Sequence, residues 1–199
     1  MKEADVLRAI YSTKLLEGHP TLERVAARLG EPVAEVSKAL ESAAASGLVS
    51  TSGAEVSLTP KGRSNLKVVM IGGAFEIIHP GHLHTIEQAR MLGDTLVVVV
   101  ATDSNIIKNK KRDPVTKQEW RVKLVAALRG VDVSLAGGAG SIYDTLERVR
   151  PDVVALGYDQ IHNPADIEAE ARRRGLELTV VRLGSPLPEV KTSKIVSAL

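Results

Sequence analysis

Two imidazoles three residues apart, His79 and His82, bracket Pro80 and Gly81. At a helix start, side chains spaced this way lie on one side and can donate hydrogen bonds to the same phosphate group, while glycine lets the backbone come close. The approach, Gly72-Gly73-Ala74-Phe75-Glu76, follows a strand pattern over Lys67 to Ile71, and a helical pattern runs on from Gly81 to Leu92. In an open parallel sheet, ligands bind beyond the carboxyl ends of strands, where a helix start offers N–H groups and a positive dipole end to an anion. A nucleoside triphosphate suits such a place. The same pair could instead cap a helix or hold a metal, but a zinc site needs further ligands that this neighbourhood lacks. No metal-binding residue is assigned. His84, two residues past His82, faces elsewhere on the helix, and neither it nor His19 nor His162 is given a role.

A scaffold must hold this turn, and the rest of the chain supplies one. Beyond the Lys67–Ile71 strand and the Gly81–Leu92 helix, the pattern predicts a strand over Thr95 to Ala101 and a helix over Lys117 to Leu128. A strand over Val131 to Leu135, a helix over Ile142 to Val149 and a strand over Val153 to Leu156 follow. A helix over Ala165 to Arg174 and a strand over Leu178 to Arg182 complete the series. Strands with few polar residues alternating with helices predict an α/β domain, residues 66–199, built on a five-stranded Rossmann-like parallel sheet. Residues 1–65 read differently. Helices are predicted from Ala4 to about Glu17, from Thr21 to Gly30 and from Pro32 to Ser46, and Gly18, Gly30 and Gly47 stop them. Leu48 to Thr51 and Glu55 to Leu58 then read as a hairpin turning at Ser52-Gly53, so a small winged helix-turn-helix domain is expected there.

Composition sets the bounds. The 199 residues are 44% hydrophobic and 25% charged, without a low-complexity tract, so two folded domains with real cores are expected rather than disorder. Aromatic residues make up 3% and cysteine is absent, which leaves Val, Leu, Ile and Ala to build the cores without disulfides or thiolate metals. Met1 to Leu16 resembles neither a signal peptide nor a membrane span, so a cytoplasmic protein with no membrane role is expected. A net charge of +2 is too small for bulk nucleic-acid affinity, and anion binding must come from local clusters.

The strand, the Gly-x-Phe approach and the helix around His79-Pro80-Gly81-His82 resemble the HxGH signature of the nucleotidyltransferase superfamily. The resemblance extends over nearly all of Lys67 to Leu199 and looks like the cytidylyltransferase-like family. Leu92 to Val100 followed by Thr102-Asp103 matches its second strand, and Lys108-Asn109-Lys110-Lys111 matches its basic loop. Gln118-Glu119-Trp120-Arg121 stands where the family has a Glu-Gln-Arg segment, which makes Arg121 a candidate triphosphate or acceptor contact. The phrase Pro151 to Gln160 is especially similar to the archaeal FAD synthases, and it implies that Gly157, Tyr158, Asp159 and Gln160 lie near base and ribose. Lys191-Thr192-Ser193-Lys194-Ile195 resembles the element beside the phosphates, implying phosphate contacts from Thr192, Ser193 and Lys194. Three features depart from the pattern: Glu76 replaces the usual Asp, the cysteines common near the C-terminus of archaeal FAD synthases are missing, and the tail is closer to that of cytidylyltransferases.

What the resemblance implies is nucleotidyl transfer. A phosphomonoester is already anionic, so it can attack the α-phosphorus in line without a general base while pyrophosphate leaves, and the protein's part is positioning and charge neutralisation. The expected catalytic residues are His79, His82 and Lys194, and Gly73, Ala74, Phe75, Gly81 and Lys110 complete the nucleotide-binding set. A magnesium ion is expected with the nucleotide, held by phosphate oxygens and water. FMN with ATP is the favoured pair of substrates and a polyol or other small phosphate with CTP the alternative; Phe75, Trp120 and Tyr158 are rings able to stack on a flavin. A further alternative is a transcription regulator that only senses a nucleotide. Residues 1–65 hold eight Lys or Arg against eight Asp or Glu, and the third helix carries Glu35, Lys38 and Glu41 without arginine, a poor set for reading DNA. Ala43-Ala44-Ala45 suits packing against the catalytic domain or a twin subunit, and a homodimer is expected.

Overall fold

The computed structural model describes residues 2–158, 160–184 and 195. The chain divides into two compact units, Met1–Lys67 and Val68–Leu199. In the first, α1 (Glu3–Glu17) ends where Gly18 turns left-handed at φ 80°, a conformation that costs glycine nothing. The Thr21 side chain caps α2 (Leu22–Leu29) by accepting from the Arg24 N–H, and α3 (Val33–Ala45) follows Pro32. Strands β1 (Val49–Ser52) and β2 (Glu55–Leu58) pair antiparallel, with Val49 opposite Leu58. The turn lies at Gly53-Ala54, one residue beyond the expected one, because Gly53 supplies the positive φ of 59° that a tight hairpin needs. A short helix that the pattern did not predict, α4 (Pro60–Ser64), follows; Thr59 caps it through the Gly62 N–H and Pro60 opens it. Val6, Leu7, Ile10, Val25, Val36 and Val56 form the buried interior of this unit.

Valine builds the second unit, because a branched Cβ is stiff and packs well on a pleated surface. Strands β3 (Val68–Gly73) and β4 (Thr95–Val100) run parallel, in register from Val68 opposite Thr95 to Gly73 opposite Val100. With β5 (Val133–Ala136), β6 (Val153–Leu156) and β7 (Thr179–Arg182) they form one parallel sheet in the order β5-β4-β3-β6-β7. This is the expected Rossmann-like α/β sheet. Its strands begin at fixed points: the Asp152 carboxylate accepts the Val68 N–H at 2.6 Å and Asp132 that of Leu96 at 2.7 Å. The helices of this unit are α5 (Pro80–Arg90), α6 (Asp103–Lys110), α7 (Gln118–Ala126), α8 (Ile142–Val149) and α9 (Pro164–Arg173).

Helix α6 corrects the expected basic loop. The Thr102 hydroxyl accepts the Asn105 N–H, Asp103 lies in the first turn, and Lys108 and Lys110 in the last, so caps and dipole make a helix of a charged segment. Sequence numbers along the sheet order step outward from β3 in both directions, which makes the gap between β3 and β6 the switch point where a ligand crevice forms. Among the described residues no helix is long and apolar enough to cross a membrane.

Candidate active site

Where β3 ends, the chain makes the turn that the HxGH spacing requires. A Cβ on Gly73 would lie 2.8 Å from the Phe75 ring, so only glycine leaves that ring its seat. Phe75 itself is left-handed, at φ 49°, and buried. Its ring centroid lies 5.0 Å from that of His82, and the His79 and His82 rings are 3.9 Å apart, tilted by 32°. His79 is the N-cap of α5 and its carbonyl accepts the His82 N–H at 2.9 Å, which fixes the two imidazoles side by side at the helix start. The His79 Nδ1 is buried and has no hydrogen-bond partner among the described residues. Burial pushes the His79 pKa below its ordinary value, so the ring is neutral at pH 7, with one donor and one acceptor for an incoming group.

Glu76, one turn earlier, is the most enclosed carboxylate of the site, its side chain fully buried. Arg112 donates to both of its oxygens, at 2.8 and 3.1 Å, Lys110 donates to Oε2, and the Val115 N–H approaches Oε1 at 3.3 Å. Burial raises the pKa of Glu76, but the Arg112 and Lys110 bonds and the Val115 N–H outweigh it and bring it to about 2. The carboxylate is therefore ionised at any working pH. Lys110, expected to hold the triphosphate, does line the crevice, but its ammonium group is already committed to Glu76.

The crevice has a volume of about 460 Å³. Gly72, Gly73 and Ala74 form its centre; Asn105, Lys108, Asn109 and Lys110 of α6 and the Gly137–Ile142 region line one side, and Leu156, Gln160 and His162 the other. Its edges are stitched from within. Gln118 donates through Nε2 to the Val100 and Gly137 carbonyls at 2.9 and 3.0 Å, tying the ends of β4 and β5. Gln160 accepts the Gly157 N–H at 3.2 Å and donates to the Gly72 carbonyl at 2.7 Å, tying β6 to β3 across the switch point. The two imidazoles are outside this lining; Phe75, packed on His82, connects the turn to them.

Arg121 is the clearest correction. Fully buried, its guanidinium donates to the Ala74 carbonyl, to the Thr116 carbonyl at 3.0 Å and to Asp103 at 2.6 Å. Those are structural bonds, and the side chain is fully buried and outside the crevice lining. Gln160 likewise spends its side-chain amide on backbone. Gly81 lies in the first turn of α5, Gly157 directly follows β6, and Tyr158 is 36% exposed, outside the crevice lining. Asp159, Thr192, Ser193 and Lys194 lie outside the described residues. Of the rings considered for stacking, Phe75 is buried against His82 and Trp120, 52% exposed, is not in the lining. Tyr143 is a further ring, and it carries the Arg174 guanidinium 5.1 Å from its centroid. The sequence reading missed Gln118 and Arg182. Gln118 stands inside a segment already singled out; Arg182, a basic residue at a strand end, gave no local signal.

The model of the cytidylyltransferase-like family matches residues 70–198. An FAD synthase of Methanothrix thermoacetophila is 44% identical over 126 residues, 63% of this chain and 87% of the relative. One from Thermococcus kodakarensis is 39% identical over 134 residues, 66% of this chain and 90% of the relative. Among solved structures, a lipopolysaccharide core biosynthesis protein from Thermoplasma volcanium superposes with a TM-score of 0.58 at 35% identity, covering 60% of this chain and 98% of its own.

Proposed function

The chain is a nucleotidyltransferase of the cytidylyltransferase-like family, and we propose that it transfers the adenylyl group of ATP to FMN, forming FAD and pyrophosphate. The observation that carries this reading is the HxGH turn, with paired imidazoles at a helix start beyond a central parallel strand, in a chain 44% identical to a relative named FAD synthase. A phosphate oxygen of FMN attacks the α-phosphorus of ATP, the bond from that phosphorus to the bridging oxygen breaks, and pyrophosphate departs. No proton need be removed from the attacking group. His79, neutral and with an unmet Nδ1, and His82 beside it stabilise charge on the α-phosphate and the bridging oxygen. Lys110, Thr192, Ser193 and Lys194 attend the remaining phosphates, with Lys110 acting as half of an ion pair rather than as a free cation. A magnesium ion accompanying the triphosphate would be held largely by phosphate oxygens and water.

The test is product formation. Pure protein with magnesium, ATP and FMN should yield FAD and pyrophosphate in equal amounts, while CTP with glycerol phosphate should yield none. Turnover only with CTP would move the chain to the cytidylyltransferase reading. For the first unit we propose a packing or dimerising role in place of DNA reading. Lys38 is the one cation of α3 and stands between Glu35, 3.0 Å from it, and Glu41, so the helix carries net negative charge and meets DNA phosphates poorly.

A further inference from the structure

Arg182 ends β7, is exposed, and is not part of the crevice lining. Its guanidinium nevertheless gathers three carbonyls of the segment after β6: Gly157 at 3.0 Å, Gln160 at 2.7 Å and His162 at 2.6 Å. Charge-assisted bonds of this kind are roughly twice as strong as neutral ones, and three on one guanidinium fix the direction of three peptide groups. In a trans peptide the N–H points opposite to the C=O, and the described chain has no cis bond. With the Gln160 and His162 carbonyls turned to Arg182, the N–H groups of Ile161 and Asn163 face away from it. Gln160 fastens the same segment to Gly72 on the inner side, and Gln160 and His162 line the crevice. The described residues of the segment are thus held at two points, by Gln160 on Gly72 and by Arg182 on three carbonyls.

We propose that Arg182 is a positioning residue for the nucleotide: by holding the carbonyls of Gly157, Gln160 and His162, it keeps Gln160 and His162 in the wall of the crevice that the triphosphate substrate enters. This rests on the reading that the crevice holds a nucleotide. Without those three bonds Gln160 and His162 would lose their places in the wall, and binding would weaken. Arg182 touches no reacting atom, so its effect belongs in nucleotide affinity and not in acceptor affinity or in the chemical step.

The experiment compares wild type, Arg182→Gln and Arg182→Lys by binding of a fluorescent N-methylanthraniloyl ATP and by steady-state turnover with ATP and FMN. Arg182→Gln should raise the Kd for the nucleotide and the KM for ATP about tenfold, since small misplacements of positioning groups cost this much or more, with KM for FMN and the melting temperature little changed. Arg182→Lys, which retains the charge and one donor direction, should fall between. Unchanged nucleotide binding in folded Arg182→Gln overturns the proposal, and so does an equal loss for ATP and FMN, which marks a merely structural staple. If Arg182→Gln does not fold, Arg182→Lys decides on the same readouts. A wild type that binds the nucleotide but makes no FAD removes the FMN reading and leaves the binding comparison to judge Arg182.

Discussion

The start of α5 and the rim of the crevice spend their polar groups in opposite ways. At the helix start His79 keeps Nδ1 buried and without a partner among the described residues, stacked beside His82, an arrangement that costs stability. Around the rim, Glu76, Arg121, Gln118, Gln160 and Arg182 are bonded to the protein itself, mostly to backbone carbonyls at strand ends. The difference separates two kinds of polar residue that look alike in a motif. One kind has no partner among the described residues and, in the proposed function, meets the substrate. The other holds the walls in place, and a cation there is no evidence of a phosphate ligand.

Substitutions that exchange the two kinds sharpen this contrast. The largest effect should come from Arg121→Met, which leaves the Ala74 and Thr116 carbonyls without their buried donor; removing one partner of a buried charged network costs about 3–5 kcal/mol. Denaturant melts should show a strongly destabilised second unit, and an Arg121→Met protein of normal stability but poor ATP affinity would make Arg121 a ligand after all. Glu76→Gln should do less harm to stability but release Lys110 and Arg112 from their anchor, raising KM for ATP by roughly tenfold as the end of α6 loses its position. Because folding depresses the Glu76 pKa from 4.5 to about 2, its contribution to stability is complete above about pH 4.5 and is lost as pH falls toward 2. The stability gap between wild type and Glu76→Gln should therefore be flat above that value and close below it. The smallest effect concerns His79, whose pKa is also lowered by folding: stability should fall as the pH drops through and below its ordinary value of 6.5, and His79→Asn should lose that slope.

Much of this was legible in the sequence. Valine-rich strands announce a parallel sheet because β-branched side chains suit a surface buried on both faces, and the five strands stand within a few residues of where the pattern puts them. The HxGH turn was legible because its residues are neighbours in the chain. Helix α6 was not, since Lys108-Asn109-Lys110-Lys111 reads as a basic loop and only the Thr102 cap reveals a helix. Nor was the state of the cations. Glu76 meets Lys110 and Arg112 from 34 and 36 positions away, and Arg121 meets Ala74 from 47, so only folding shows that these charges are already answered. Arg182 is the extreme case: its sequence neighbours are apolar or small, and its function lies in carbonyls 20 to 25 positions earlier.

The most direct test of the central claim is FAD formation from ATP and FMN by wild type and by His82→Ala, with the melting temperature of each measured alongside. Loss of one such charge-stabilising donor should lower kcat about a hundredfold or more while the fold persists, if His82 acts on the reacting phosphate as proposed. A folded His82→Ala variant that makes FAD at the wild-type rate would contradict the account.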